Sequence, residues 1–238
     1  MSSSSTPEKQ APTLPAEALA RVARAASDLV GDGMCIGLGT GRTAEAFIRT
    51  LAERVRDGLK ITGVPTSKRS AEVATSLGIE LVSLDDVERL DLDFDGADEV
   101  TPTLDLTKGR GGALLRERVV AHVADRFVVL ITPDKRVERL GSITPIPIET
   151  VPFAAPVVAR ELARLGAEPI RRVDADGNPY ATDNGNAILD AGLEPMDDAA
   201  AMDAAIRAIP GVVDTGLFLG MADLVLVGGP LEVETLER

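Results

Sequence analysis

Three short segments of this sequence combine glycines with residue types that could do chemistry. They read GLGTGRTA over residues 37–44, DGADE over 95–99 and KGRGGALLRE over 108–117. Glycines let the backbone approach a ligand closely, while the carboxylates and the lysine could hold or move protons. These segments are the candidate parts of a ligand site.

The segment 37–44 runs from an apolar stretch into a helical pattern, so its glycine-rich turn opens a helix. Amides at a helix N-terminus attract anions, and Thr40, Arg42 and Thr43 add hydroxyl donors and a cation. A dinucleotide fingerprint would need glycine at position 42 and an acid about 20 residues later, and a Walker loop would need Gly-Lys-Ser/Thr. Neither pattern is present. The segment therefore indicates a phosphate loop, with a plain strand-to-helix turn as the alternative.

Asp95 and Asp98 lie in DGADE, directly after the apolar strand predicted over 90–94. Ligands bind at the carboxyl ends of parallel strands, where two closely spaced carboxylates can converge on one ligand. Aspartates also cap helices and stabilise solvated turns. The spacing alone leaves both interpretations open.

Glu117 lies on a predicted helix that follows the glycine-rich loop beginning at Lys108. The rest of its helix face is apolar and consists of Ala113, Leu114, Val120, Ala121 and Ala124. A carboxylate in such surroundings is poorly solvated, which raises its pKa and suits a general base. A structural ion pair with Lys108 or with an arginine is the alternative.

Other reactive side chains give weaker signals. Lys135 follows the buried strand predicted over 127–131, which places it at the ligand-binding edge of the sheet, with an ordinary surface lysine as the alternative. Cys35 lies in an apolar strand and is predicted to be a core residue, while His122 is predicted to be a surface or packing residue on the opposite side of the helix from Glu117. With one cysteine and one histidine, no zinc site or Ser-His-Asp triad is visible. A magnesium ion held by carboxylates stays open.

The composition excludes several classes of function. The 238 residues hold 25 Lys+Arg and 38 Asp+Glu, a formal net charge of -13, and aromatic residues make up 3%. Nucleic acids and anionic membranes need clustered cations, and single strands need aromatic platforms. No apolar run approaches the roughly 20 residues of a membrane span, and residues 1–15 lack the apolar core of a signal peptide. We therefore expect a cytoplasmic protein with a disordered tail over 1–15.

The elements that must position these segments alternate between strand and helix up to Gly141. Their strands are apolar on both faces, which is typical of a parallel sheet covered by helices. After Gly141 come prolines around an expected edge strand, then Asp-Gly and Asn-Gly hairpin signals. The apolar run 222–228 is expected to return to the first sheet. This predicts an α/β fold: a Rossmann-like parallel-sheet domain over 16–141 and 214–238, with a smaller inserted α+β (ferredoxin-like) domain over 142–213.

Taken in order, the three segments resemble those of ribose-5-phosphate isomerases of the A type. The later stretches TPDK, TDNGN and GVVDTGLF fit the same family, and the resemblance extends from about Ala16 to Gly228. It implies a Rossmann-like domain with a smaller α+β domain, assembled as a homodimer or homotetramer, and a sugar phosphate as the substrate.

The resemblance further implies an aldose–ketose isomerase that needs neither cofactor nor metal. It would interconvert D-ribose 5-phosphate and D-ribulose 5-phosphate in the non-oxidative branch of the pentose phosphate pathway. Glu117 would carry a proton between carbon 2 and carbon 1 through an enediolate. Lys108 would stabilise the developing oxyanion, and Asp95 and Asp98 would lie at the sugar oxygens.

A set of substrate-binding loop residues is also implied by the resemblance. They are Gly39, Thr40, Gly41, Arg42, Thr43, Gly96, Ala97, Gly109, Arg110, Gly111, Gly112 and Lys135. Arg42 stands where the family often has serine, and we interpret it as an added phosphate ligand because Leu19 and Ala20 lie near positions that are often lysine. Arg110 occupies a position that is often glycine, which leaves the loop geometry open because arginine takes a positive φ less readily.

Two other classes of function compete with the isomerase. A sugar-phosphate deaminase or a coenzyme A transferase could share a related sheet, and a transferase would use Glu117 as a nucleophile, but DGADE and KGRGG fit both poorly. A sugar-phosphate sensor would normally carry a DNA-binding helix-turn-helix with a basic patch, which the short polar N-terminal segment is not expected to supply. The sequence therefore favours the isomerase.

Overall fold

The computed structural model describes residues 16–238, so the tail predicted over 1–15 lies outside the described residues. The strands of this part are β1 (Cys35–Leu38), β2 (Thr62–Pro65), β3 (Glu80–Leu81), β4 (Leu92–Gly96), β5 (Glu99–Val100), β6 (Leu106–Thr107), β7 (Phe127–Ile131), β8 (Ile146–Thr150), β9 (Glu168–Arg171), β10 (Ala187–Gly192), β11 (Val212–Thr215), β12 (Leu217–Phe218), β13 (Leu224–Gly228) and β14 (Val233–Glu237). Its helices are α1 (Ala16–Asp28), α2 (Arg42–Arg56), α3 (Lys68–Ser76), α4 (Leu114–Val123), α5 (Ala155–Arg164) and α6 (Ala199–Arg207). None of these helices is long and apolar enough to cross a membrane.

The main sheet has seven strands in the order β14-β13-β7-β4-β1-β2-β3. Neighbouring strands pair in parallel except for the edge strand β14, which runs antiparallel to β13. From β1 the chain moves outward to β2 and β3, and from β4 it moves outward the other way to β7 and β13. The direction therefore reverses between β1 and β4, and the loops after two such strands leave a crevice in which a ligand can bind.

Helices cover both faces of the main sheet, as its doubly apolar strands predict. On one face α1, α2 and α3 pack around Phe47, Phe94 and Leu130, and the two phenylalanine rings stack with their centroids 4.3 Å apart. On the other face α4 packs through Leu114 against Val129. Burying a large apolar side chain stabilises a fold by about 1.5–3 kcal/mol. This two-sided core fixes the strand ends from which the three glycine-containing segments project.

The smaller domain follows the order β8-α5-β9-β10-α6-β11 along the chain. Its antiparallel sheet has the strand order β11-β8-β10-β9, which is the ferredoxin-like arrangement. The helices α5 and α6 contribute Leu162 and Ile206 to a core with Ile148. The chain then returns to the main sheet through β13, which pairs in parallel with β7. The predicted fold class is confirmed.

A third sheet, of three short strands in the order β12-β6-β5, brings the catalytic candidates of two segments together. β5 continues directly from DGADE and contains Glu99, and β6 ends at Thr107, directly before Lys108. Both pairings are antiparallel, so the chain turns back after DGADE. The turn returns Lys108 to the carboxyl end of β4.

Several local expectations were wrong. The predicted edge strand is β8, which lies between β11 and β10 in the smaller sheet and is buried. The carbonyl of Pro147 accepts from the Gly216 N–H at 2.7 Å, so the N–H that proline lacks would point to the same side, where pairing with β11 ends at Ile148. Pro147 is tolerated because the Gly216 carbonyl opposite it accepts from the Lys108 N–H instead, at 2.9 Å. The run 180–182 is a loop and not a strand, and β14 was not expected.

Two of the three weaker candidates, Cys35 and His122, lie outside the site. Cys35 is half-buried at the start of β1 and not fully in the core. His122 is exposed on α4, as expected.

Candidate active site

The three glycine-containing segments meet at the carboxyl edge of the main sheet, on both sides of the switch point between β1 and β4. They surround a cavity of about 380 Å³. Its lining consists of Thr40, Gly41, Arg42, Thr43, Gly96, Ala97, Asp98, Lys108, Gly109, Arg110, Gly111, Glu117, Asp134 and Lys135. The cavity is therefore formed almost entirely by the residues that the sequence singled out.

The first segment crosses from β1 to α2 in close contact with the end of β4. The Gly39 N–H donates to the Phe94 carbonyl at 2.9 Å, and the Thr40 N–H donates to Oδ1 of Asp95 at 3.0 Å. A Cβ at Gly39 would lie 2.3 Å from that same oxygen, so this position requires glycine. Gly41 has a φ of 101°, which places it in the left-handed region, and α2 begins directly after it.

The N-terminus of α2 faces the cavity without a side-chain cap, since its N-cap residue is Gly41. The first amides of a helix have no partner within the helix and carry its positive end. The Thr40 hydroxyl is already used, because it lies 2.7 Å from the Thr66 hydroxyl and donates to Ser67 at 2.8 Å. Anion binding here would thus depend on the helix amides and on Thr43.

Lys108 is the centre of a buried charge cluster. Its Nζ donates to the Gly96 carbonyl at 2.5 Å, and it lies 2.9 Å from Oδ2 of Asp95 and 3.3 Å from Oε2 of Glu117. The three charged side chains are only 2%, 0% and 3% exposed. Two carboxyl groups therefore share one ammonium group away from water.

This burial changes the proton affinities of the cluster. Burial, together with the negative charges of Asp95 and Asp98, raises the pKa of Glu117 to about 8 against the opposing attraction of Lys108. Burial also raises the pKa of Asp95, while Lys108 acts to lower it. For Lys108 burial acts to lower the pKa, but Asp95 and Glu117 outweigh it and hold the pKa above the usual lysine value. The arrangement joins a fixed cation to a carboxyl group that can exchange a proton near neutral pH.

Asp98 differs from Asp95 because it lines the cavity while Asp95 lies behind Lys108. The backbone N–H of Arg110 donates to Oδ2 of Asp98 at 3.1 Å. The loop that contains Arg110 turns tightly, with the Gly112 N–H donating to the Gly109 carbonyl at 2.9 Å. The two carboxylates of DGADE therefore have different surroundings, which their spacing alone could not separate.

Arg110 leaves the loop geometry intact. The positive φ values of this loop fall on Gly109, at 98°, and Gly112, at 80°, and not on Arg110. Gly112 also lies against Tyr180, since a Cβ there would be 2.2 Å from the phenol oxygen. In KGRGG, the two positions that require glycine because of their positive φ are therefore 109 and 112, and both are glycine in this chain.

Two cations lie at the end of the cavity that adjoins a second, smaller cavity, which residues 108–117 do not line. Lys135 follows β7 and is 3.6 Å from Asp134, while Arg42 is exposed at the start of α2. Both also line an adjoining cavity of about 110 Å³, together with Leu19 of α1. This end of the site has a cationic character that contrasts with the overall charge of -13.

Three of the predicted site residues do not line the cavity. Gly39, Asp95 and Gly112 lie directly behind lining residues and support them. Asp134 is a lining residue that the sequence reasoning missed, although it stands beside Lys135 in TPDK.

A second missed residue is Asp93, on the same face of β4 as Asp95. It is fully buried and neither carboxyl oxygen has a hydrogen-bond partner among the described residues. A Cβ at Gly37 would lie 2.1 Å from Oδ1 of Asp93, so the side chain packs directly on the backbone of β1. Burial, reinforced by Asp95, raises the pKa of Asp93 well above its ordinary value.

Comparison with known proteins identifies close relatives of the chain. A family model described as ribose 5-phosphate isomerase A (phosphoriboisomerase A) matches residues 62–232. The chain is similar to ribose-5-phosphate isomerase A of Roseiflexus castenholzii, with 52% identity over 219 residues that cover 91% of this chain and 94% of that protein.

Solved structures agree with the sequence comparison. Ribose 5-phosphate isomerase A of Methanocaldococcus jannaschii is 43% identical and superposes with a TM-score of 0.90, covering 94% of this chain and 99% of that one. A D-ribose-5-phosphate isomerase in complex with phospho-erythronic acid is 40% identical, with a TM-score of 0.91 and the same coverage.

Proposed function

Because the chain belongs to the ribose 5-phosphate isomerase A family, it is an aldose–ketose isomerase that interconverts ribose 5-phosphate and ribulose 5-phosphate, and we propose that Glu117 is its general base. One observation carries the proposal. Glu117 is the carboxyl group of the cavity that is buried, lies beside a fixed cation and has its pKa raised to about 8. A base with a pKa near the working pH combines a sufficient ionised fraction with a sufficient affinity for the proton.

Glu117 moves one proton in this scheme. Its carboxylate removes the proton from carbon 2 of the open-chain aldose, which gives an enediolate, and returns that proton to carbon 1. Proton exchange between the two sugar oxygens completes the change from aldehyde to ketone. A bound phospho-erythronic acid, as in the related solved structure, presents a carboxylate that resembles the two oxygens of an enediolate.

Lys108 stabilises the negative charge that develops on the sugar oxygens. Its ammonium group is held by Gly96 and Asp95, and its longest contact is the 3.3 Å to Glu117. A substrate oxygen can replace that contact, which frees Glu117 to act as a base while the cation stays in place. A preorganised charge in a site that excludes water stabilises a transition state strongly.

The two aspartates of DGADE have different roles in this proposal. Asp95 acts through Lys108 and Thr40, which it positions from behind the cavity wall. Asp98 faces the cavity and orients the hydroxyl groups of the sugar, including during ring opening. Asp95 is therefore a positioning residue, and Asp98 touches the substrate.

The phosphate group binds at the cationic end of the cavity. The free amides of α2, Thr43, Arg42 and Lys135 surround this end, and α1 contributes only the apolar Leu19 there. Arg42 forms no ion pair among the described residues, so its charge is available to a ligand. Arg42→Ser should raise KM several-fold with little change in kcat, since an exposed ion pair contributes up to about 1 kcal/mol. An unchanged KM would exclude Arg42 as a phosphate ligand.

The proposal is tested by following ribulose 5-phosphate formation in the presence of a chelator. Glu117→Gln keeps the size of the side chain and removes the base, so turnover should fall by about 10²–10⁴-fold or more. Glu53→Gln, on the exposed face of α2, is the matched control and should retain wild-type turnover. An active Glu117→Gln enzyme would leave the isomerase assignment intact and move the base to another carboxylate.

We further propose a cytoplasmic enzyme of the non-oxidative pentose phosphate pathway that assembles as a homodimer or homotetramer. Three exposed apolar side chains that are close in sequence support self-association. Phe153 is 94% exposed, and Val151 and Val157 on either side of it are exposed as well. Sedimentation equilibrium measures the assembly state directly.

A further inference from the structure

The glycine-rich loop of residues 109–112 is held by an arginine of the smaller domain. Arg172 follows β9, and its Nη1 donates to the Gly109 carbonyl at 3.1 Å and to the Arg110 carbonyl at 3.0 Å. The rest of the guanidinium group binds Asp190 on β10, through Nε to Oδ2 at 2.9 Å and through Nη2 to Oδ1. One planar side chain thus joins the smaller sheet to two consecutive carbonyls of the loop.

The loop that Arg172 holds faces the substrate cavity on its other side. Gly109, Arg110 and Gly111 line the cavity, and the Arg110 N–H fixes Oδ2 of Asp98 at 3.1 Å. A continuous set of contacts therefore leads from Asp190 through Arg172 and the loop to Asp98.

We propose that Arg172 is a positioning residue of the isomerase, which aligns the loop 109–112 and, through it, Asp98 against the bound sugar. This inference rests on the proposed function of the site. The proposal gives the smaller domain a direct part in the reaction. Arg172 plays that part by contacting residues that lie 62 and 63 positions earlier in the sequence.

The chemistry of the contact calls for arginine. The guanidinium group presents its donors in a fixed plane, so it can bind a carboxylate on one edge and carbonyls on the other. The side chains of Arg172 and Asp190 are 15% and 25% exposed, so water competes weakly for these bonds. A lysine could reach one of the partners as a point charge but could not bridge them.

The charge cluster does not depend on this contact. The Lys108 backbone N–H donates to the Gly216 carbonyl at 2.9 Å, and its Nζ is held by Gly96 and Asp95. Loss of Arg172 should therefore misalign the sugar with little change in the proton affinity of Glu117, which depends mainly on burial and on Lys108. The cationic end of the site is also untouched, so the substrate still binds.

These expectations separate a positioning role from a merely structural one. We expect Arg172→Gln to lower kcat by about 10–100-fold, as a displacement of about 1 Å at a reacting group does, with KM within about threefold. The pH at which kcat/KM is half-maximal should stay at the wild-type value. Arg172→Lys should recover only part of the loss, and Arg171→Gln, on the exposed neighbouring residue, should behave as wild type.

Hydrogen exchange of the free protein tests the loop contact without using activity. In Arg172→Gln the amides of Arg110 and Gly112 should exchange at least about tenfold faster than in wild type, while those of β4 and α4 should be unchanged. Wild-type kcat in Arg172→Gln, or unchanged exchange of these two amides, would overturn the proposal. A loss of kcat accompanied by faster exchange throughout the chain would also overturn it, since that pattern means general destabilisation. If the wild-type chain failed to isomerise ribose 5-phosphate, the function would fail, and the exchange data would still decide whether Arg172 holds the loop.

Discussion

Glu99 and Glu117 are equally buried, yet their surroundings are opposite. Glu99 is 0% exposed and accepts three backbone N–H groups, from Gly141 at 2.6 Å, from Thr144 at 3.0 Å and from Ile143. Glu117 is 3% exposed and has a single cation at 3.3 Å, which it shares with Asp95. One carboxylate has its charge fully solvated by the protein, and the other does not.

The difference shows what distinguishes a structural acid from a reactive one. Burying a charge costs several kcal/mol unless hydrogen bonds replace the lost water. The amides around Glu99 supply that replacement and tie DGADE to the loop that enters the smaller domain. Around Glu117 the replacement is incomplete, so its pKa is raised to about 8 and the carboxyl group takes up a proton near neutral pH. Burial alone does not mark a catalytic acid. A reactive acid also has few donors facing it and lines the cavity, as Glu117 does.

The largest expected effect comes from exchanging each acid for its amide. Glu99→Gln removes the charge that three N–H donors point at, and should lower the free energy of unfolding by about 3 kcal/mol, because hydrogen bonds to a charged group contribute about 1.5–3 kcal/mol each. Glu117→Gln replaces a carboxyl group that is largely protonated at pH 7, and should leave stability unchanged or slightly higher. Urea unfolding at pH 7 measures both.

Catalytic turnover should be affected in the opposite order to stability, most in Glu117→Gln and least in Glu99→Gln. Folded Glu99→Gln enzyme should keep kcat within several-fold of wild type, whereas Glu117→Gln loses turnover. Equal losses of stability in the two variants would contradict the distinction between them.

A smaller effect per pH unit is expected at Asp93, which extends the comparison to an acid whose two oxygens have no hydrogen-bond donor among residues 16–238. Its native pKa lies well above the unfolded value of about 3.9, so between these two values the native state holds a proton that the unfolded chain has released. The stability of the wild type therefore falls as pH rises through this range. Asp93→Asn does not titrate, and its stability relative to wild type should rise by up to about 1.4 kcal/mol per pH unit.

Unfolding in urea at several pH values from 5 to 9 checks the prediction for Asp93. Parallel stability curves for the wild type and Asp93→Asn would mean that Asp93 titrates normally in the folded protein. A curve for Asp93→Asn that falls further below wild type as pH rises would reverse the sign of the effect and contradict the assignment.

Local patterns made much of the site predictable. Glycine turns between apolar strands and helices identified the loops, and the apolar helix face around Glu117 indicated a poorly solvated acid, which the structure confirms. These signals are local because each depends on residues that lie close together in the sequence. The function was implied by the resemblance of these segments, in their order along the chain, to those of one enzyme family.

Non-local contacts could not be predicted in the same way. The spacing in DGADE does not reveal that Asp95 lies behind Lys108, because Lys108 returns through a separate strand pair. The prolines in and around β8 suggested an edge, but the position of Pro147 in the ladder makes it harmless in a central strand. The Arg172 contact depends on how the smaller domain packs, and no pattern within its own segment records it.

The pH dependence of kcat/KM tests the central claim most directly, because it reports the proton affinity of the free enzyme's base. The base acts as a carboxylate, so activity should rise with pH and reach half its maximum at about 8, while Lys108 stays protonated throughout. That midpoint is distinct from the substrate's own phosphate titration at about 6. A rise centred on pH 8 in wild type that is absent from the residual activity of Glu117→Gln is the predicted result. A profile that is already flat above pH 6 would contradict the assignment of Glu117 as a base with a raised pKa.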